Sequence, residues 1–257
     1  MTLHEELLAV VEHGLKQQPR SLQKRVGPSE LGVPCDRKLG YKLLGHPVLN
    51  TNDRVPWKPF IGTGLHSEFE VLFHKVSAAG GDTNAYGGRY LVENRVNVGE
   101  ILGEVIDGSC DLYVNDGLGH VVDFKCVGDE QLRKYKAKGP GDQYRKQAHL
   151  YGRGWRRAGM PVATVAIWFL PRNQELKQNH FWTEPYDEQV AVDALTKAEG
   201  IARLTGALGP QALPLLQAAD DYCSFCDWFK PGSTDLAQGC PGVTRANESS
   251  PLQSLIA

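Results

Sequence analysis

The sequence predicts an α/β (α+β) fold, a mixed central β-sheet flanked by helices. Three observations predict it. Short β-like runs fill residues 87–126, a basic helical segment follows at 131–157, and a continuous apolar run comes at 162–170. Segments of helical period lie on either side, at 59–78 and 187–205. A chain of 257 residues can bury an ample core as one large domain or two small ones.

Taken in order, Leu3, Leu7, Leu8, Val11 and Leu15 space an amphipathic helix over 3–16. A basic stretch, 16–25, follows; it reads as a solvated face or a DNA contact. In 29–45, Ser29 is placed to cap a short helix, and Pro34 interrupts it near Cys35. Over 59–78, Ile61, Leu65, Phe69, Leu72 and Val76 form one apolar stripe, with His66 and Glu70 on the adjacent face. A lone helical histidine is more often a packing residue than a ligand.

The runs RYLVENRVNV, LGEVIDGSCDLYV and HVVDFKC then read as an antiparallel meander, with NDGLGH turning the last hairpin. Residues 131–157 carry nine Lys/Arg against one Asp, broken by Gly139-Pro140-Gly141. The helix after the break sets Gln143, Gln147 and Tyr151 on one face amid Arg145, Lys146, Arg153, Arg156 and Arg157. Such a mixture suits phosphate and base contact, or else a solvated basic helix. VATVAIWFL (162–170) reads as a buried strand, with a second strand near 177–184 beside it. Val190, Leu195, Ala198, Ile201 and Leu204 give a last helix, and 243–257 reads as a polar tail.

Composition narrows the class. With 41% hydrophobic and 23% charged residues there is no disordered-type bias. A net charge of −2 leaves nucleic-acid binding to local basic patches. The N-terminus lacks the basic and apolar regions of a signal peptide, and no segment approaches the ~20 apolar residues of a membrane span. A reducing cytoplasm is therefore the expected setting, and six cysteines there call for something other than disulfides.

Two constellations carry chemistry. The hairpin sets Asp111 on one strand and Asp123-Phe124-Lys125 on the next. Carboxylates are hard ligands for Mg²⁺ or Mn²⁺, and an ammonium beside them can hold a nucleophilic water. A surface strand with a structural Asp–Lys pair is the competing reading. The second constellation is Cys223-Ser-Phe-Cys226 with Cys240 downstream and Cys35 far upstream. Four thiolates suit zinc or an iron–sulfur cluster equally by ligand type. Cys110 and Cys126 read as packing residues.

Together these motifs resemble the PD-(D/E)xK nucleases of the RecB type, specifically the CRISPR-associated and phage-encoded iron–sulfur exonucleases. The resemblance runs from about Cys35 to Cys240. It rests on His66 in Gly-x-x-x-His, Asp111, the Asp123-x-Lys125 motif, Gln147-x-x-x-Tyr151, and the cysteines 35, 223, 226 and 240. The thirteen residues between Cys226 and Cys240 exceed the family's usual spacing.

The resemblance implies a restriction-endonuclease-like core at about 59–205 within a single RecB-like nuclease domain, 1–257. It also implies an iron–sulfur subdomain from about 29–45 plus 206–242, joining N- and C-terminal segments. His66, Asp111, Asp123 and the carbonyl of Phe124 would bind Mg²⁺ or Mn²⁺. Lys125 would orient water, while Gln147 and Tyr151 would position the strand. The four cysteines would hold a structural 4Fe-4S cluster, with zinc as the alternative. The implied activity is exonucleolytic hydrolysis of DNA, single-stranded or at ends, in recombination, repair, replication or CRISPR adaptation. A weakly catalytic DNA-binding or assembly subunit and a zinc-stabilised nucleic-acid-binding module are the alternatives.

Overall fold

The computed structural model describes residues 2–17, 25–50, 55–79 and 88–243. Most of the basic stretch 16–25 and nearly all of 243–257 lie outside the described residues. The chain divides into two compact units, residues 1–32 with 54–195 and residues 33–53 with 196–257.

In the first unit, α1 (Leu3–Lys16) begins at a capping box in which Thr2 and Glu5 satisfy each other's backbone N–H groups. Its expected stripe leaves Leu3, Leu7, Leu8 and Val11 exposed and buries Leu15. The short helix α2 (Pro28–Leu31) corrects the reading of Ser29 as a cap. Pro28 takes the first helical position, where its missing N–H costs nothing. Gly27 is therefore the cap, its N–H donating to Glu30 Oε2 at 2.9 Å.

Five strands form one mixed sheet in the order β1 (Tyr90–Ile101), β2 (Glu104–Val114), β3 (His120–Val127), β4 (Thr164–Pro171), β5 (His180–Pro185). All neighbours are antiparallel except β3 and β4, which run parallel. Parallel neighbours need a long crossover, here α5 (Asp129–Lys138) and α6 (Gly141–Arg157). The predicted meander, crossover helix and final strand pair are all present.

Turn chemistry sets the β2–β3 register. Asp116 Oδ1 accepts from the N–H groups of Leu118 and Gly119, at 3.0 and 3.1 Å. Gly119 has φ +80°, and a Cβ there would stand 1.9 Å from the Pro161 carbonyl oxygen. Gly119→Ala combines left-handed strain with a backbone clash, so a urea melt should show a loss of roughly 2–4 kcal/mol.

Alternation along the strands divides the core. Val92, Leu112, Val122, Phe124, Ala166 and Leu170 pack with Leu65, Phe69 and Phe73 of α4 (Trp57–Ala79). The predicted α4 stripe is thus rotated: Leu72 and Val76 are exposed, and Phe73 takes their place. On strand positions one residue over, Tyr113 stacks on Trp155 of α6, with ring centroids 4.4 Å apart. Buried His149 ties α6 to β5: its Nε2–H donates to Glu184 Oε1 at 2.5 Å, while Nδ1 accepts from Asp187 N–H.

The last helix, α7 (Glu188–Leu208), runs across the division between the units. Within the second unit, α3 (Asp36–Leu43) meets the C-terminal segment. Tyr41 stacks on Trp228 at 5.5 Å and donates to the Leu236 carbonyl oxygen at 2.6 Å. Lys197 pairs with Asp36 at 2.5 Å, and Asn50 Nδ2 donates to the Cys226 carbonyl oxygen at 2.9 Å. These contacts hold Cys35 in the same unit as Cys223, Cys226 and Cys240.

Candidate functional site

Pairing of β2 with β3 covers three residue pairs and ends at Leu112–Val122. Beyond that point β2 continues with β1 and β3 continues with β4. The sheet therefore opens as a fork, and the first residue past the split on each limb is a carboxylate, Asp111 or Asp123. Asp111 Oδ2 accepts a 2.6 Å hydrogen bond from Phe124 N–H, so a side chain closes the apex where a ladder bond would run. The fork needs a hairpin of fixed register, which the Asp116–Gly119 turn supplies.

Lys125 lies two residues beyond Asp123 and so on the same side of β3. Its Nζ is 2.5 Å from Asp123 Oδ2 and 5.0 Å from the Tyr144 ring centroid. The Asp–Lys pair weighed as a surface feature exists but is not at the surface: Asp123 is 1% exposed and Asp111 7%. Neither Asp123 oxygen has a well-formed hydrogen bond, which leaves a buried carboxylate short of partners. Burial lifts its pKa to about 6 against the attraction of Lys125, with Asp111 pushing the same way.

His66, from α4, brings Nδ1 to 3.4 Å from Asp111 Oδ1 and 3.5 Å from Glu93 Oε1. Burial opposes its charge, but the two carboxylates outweigh burial and raise its pKa to about 10. Glu70, expected beside His66, pairs instead with His74 at 3.8 Å.

Glu93 was not among the sequence candidates. It stands opposite Asp111, between the Val92–Leu112 and Asn94–Cys110 pairs, with φ +50°. A non-glycine residue in that region is uncommon and often functional. Among the described residues, His66, Glu93 and Asp111 are the one group of three His, Cys, Asp or Glu whose ligand atoms all lie within 4.8 Å. An imidazole and two carboxylates are a fitting donor set for Mg²⁺ or Mn²⁺.

Gln147 and Tyr151 are buried, at 7% and 6% exposure. Burial and the nearby charges of Asp123 and Asp111 push the Tyr151 phenol well above its usual range, while Gln147 hydrogen-bonds to it. The Phe124 ring leaves the site for an aromatic cluster, 5.2 Å from Phe69 and 6.0 Å from Trp168. The basic face of α6 is less available than its composition implied. Arg145 pairs with Glu184, Arg153 with Glu188, Lys146 with Asp142 and Arg157 with Glu100. On α5, Arg133, Lys134, Lys136 and Lys138 are exposed.

In the second unit, Cys35, Cys223, Cys226 and Cys240 line one cavity with Arg37, Lys38, Tyr41, Asp221 and Phe229. Backbone bonds fix the loops: Cys226 N–H donates to the Cys223 carbonyl, and Cys240 N–H to that of Trp228. Burial raises the Cys226 thiol to about 11, with nearby Cys35 adding to the rise. Cys110 is fully buried in the sheet, as expected of a packing residue, and Cys126 is partly buried.

No family model and no curated protein matches the chain. Among solved structures, one reported as the crystal structure of SSO0001 is similar, with a TM-score of 0.51 at 15% identity over 88% of this chain and 93% of that one. That likeness concerns the fold. The alkaline exonuclease LHK-Exo from Laribacter hongkongensis matches at 14% identity over 49% of this chain and 60% of its own, TM-score 0.37. The same protein in complex with dAMP matches at 15% over 48% and 59%, TM-score 0.36. No helix among the described residues is long and apolar enough to cross a membrane.

Proposed function

We propose that this chain is a metal-dependent deoxyribonuclease, an exonuclease on single-stranded DNA or DNA ends, with an iron–sulfur centre of structural role. One observation carries the reading: the sheet splits at Asp111 and Asp123, and His66, Glu93 and Lys125 converge on the split. Such a group has the parts that hydrolysis of a phosphodiester requires.

His66, Asp111, Asp123 and the Phe124 carbonyl would hold Mg²⁺ or Mn²⁺, and Glu93 joins them as a further carboxylate. When bound, the ion supplies a more acidic water and neutralises charge growing on phosphate. Lys125 orients the attacking water and stabilises the extra negative charge as one phosphorus–oxygen bond forms and another breaks. Gln147 and Tyr151, buried against the carboxylates, act on substrate by holding the fork in shape. The exposed cations of α5, with Arg156, grip the DNA backbone.

For the cysteine cavity, four thiols lining one space support a metal centre. Four thiolates suit a 4Fe-4S cluster or zinc by ligand type, and the family resemblance favours the cluster.

The deciding experiment offers DNA labelled separately at each end, single- or double-stranded, with and without Mn²⁺. Progressive mononucleotide release that depends on Mn²⁺ is expected. Intact DNA under all conditions would leave a binding or assembly role instead. Glu93→Gln should raise the Mn²⁺ concentration for half-maximal rate by about tenfold, the scale of losing one metal-site partner.

A further inference from the structure

Resting on the cluster reading above, we propose that Arg37 is the positioning residue of the cysteine centre: its guanidinium donates to Cys240 Sγ, fixing the place of that sulfur and setting the charge seen by the cluster. Arg37 Nη1 lies 3.8 Å from Cys240 Sγ. The side chain is aimed from two further points, Nε donating to the Leu213 carbonyl oxygen and the backbone N–H to that of Gln217, both at 3.2 Å.

The neighbouring cation behaves differently. Lys38 lines the same cavity, but its Nζ is 2.6 Å from Asp221 Oδ2, so a carboxylate answers its charge. Arg37 meets a carbonyl and a sulfur. A guanidinium stays charged at any pH a protein survives, so its contribution is a permanent one. Four thiolates make a cluster site anionic overall. Hydrogen bonds to the sulfurs and nearby positive charge both favour the reduced form and raise its potential. Removing Arg37 should therefore move the midpoint more negative and loosen Cys240 as a ligand.

The test uses the full chain purified without oxygen. Dithionite delivers one electron to the cluster with no bond broken, followed by visible absorption and electron paramagnetic resonance. Arg37→Gln should show a more negative midpoint and iron loss to a chelator at least about tenfold faster. Lys38→Gln should shift the midpoint less. If circular dichroism shows Arg37→Gln unfolded, Arg37→Lys decides: it keeps the charge without the guanidinium fork, and its midpoint should be more negative than wild type. Wild-type cluster with unchanged midpoint and loss rate in the folded Arg37 variants overturns this inference alone. Wild-type protein without iron overturns the cluster reading and this inference with it.

Discussion

Asp123→Ala is expected to cut Mn²⁺-dependent DNA degradation by on the order of 10³-fold or more, about 4 kcal/mol of transition-state stabilisation, while DNA binding is largely kept. Asp123 is the most buried acid of the fork, at 1% exposure, and its oxygens lack well-formed hydrogen bonds. Lys125 meets Oδ2 alone, so Oδ1 is left for a bound ion, and loss of the carboxylate removes that ion together with the charge stabilisation it supplies. Lys125→Ala should be comparably severe in rate, roughly 10²–10³-fold, because the ammonium acts on charge that grows only in the transition state. The two variants differ in ion binding: Lys125→Ala should still bind Mn²⁺, and Asp123→Ala should not. Degradation at wild-type rate in both would remove the catalytic assignment.

The second large effect belongs to the cysteine cavity. Cys226→Ser should release most of the bound metal and lower apparent stability by roughly 2–5 kcal/mol. That is the scale of opening a cross-link that closes a long loop, here from Cys35 to the 223–240 segment. Metal analysis and a urea melt check both parts. Serine at Cys110, buried in the sheet and not among the residues lining the cavity, should leave the metal in place. Full metal content in Cys226→Ser would show that the four thiols do not act as one site.

The fold was legible where local chemistry decides it. Val121, Val122 and Phe124 are good strand formers despite imperfect alternation, and Asn115 to His120 form a turn in which Asp116 satisfies the turn's own backbone, so the hairpin could be read directly. The same local signals put Asp111 and Asp123 on adjacent strands. Their meeting at a fork could not be read, because it depends on β2 and β3 choosing different partners past Leu112–Val122.

Glu93 shows a sharper limit. Counting back from the Leu102-Gly103 turn, where Ile101 pairs with Glu104, sets Glu93 against Leu112. The irregularity between Asn97 and Gly99, where Asn97 Oδ1 accepts from Gly99 N–H at 2.9 Å, shifts the ladder by one and brings Glu93 opposite Asp111. An Asn-x-Gly triplet inside a strand is the signal that could have exposed the shift. The rotated face of α4 and the acid partners of the α6 cations have a common cause. Periodicity and charge count describe a helix by itself, whereas Phe124, Glu184 and Glu188 are supplied by other elements.

Manganese binding tests the fork most directly. Electron paramagnetic resonance can follow free Mn²⁺ as the full chain is titrated, for wild type beside Asp111→Asn with Asp123→Asn, each checked for fold by circular dichroism. Wild type should take up Mn²⁺ with a clear stoichiometric end point, and the doubly substituted protein should leave it free. Equal uptake by both, or none by wild type, would contradict the assignment of Asp111 and Asp123 as the acids that hold the ion.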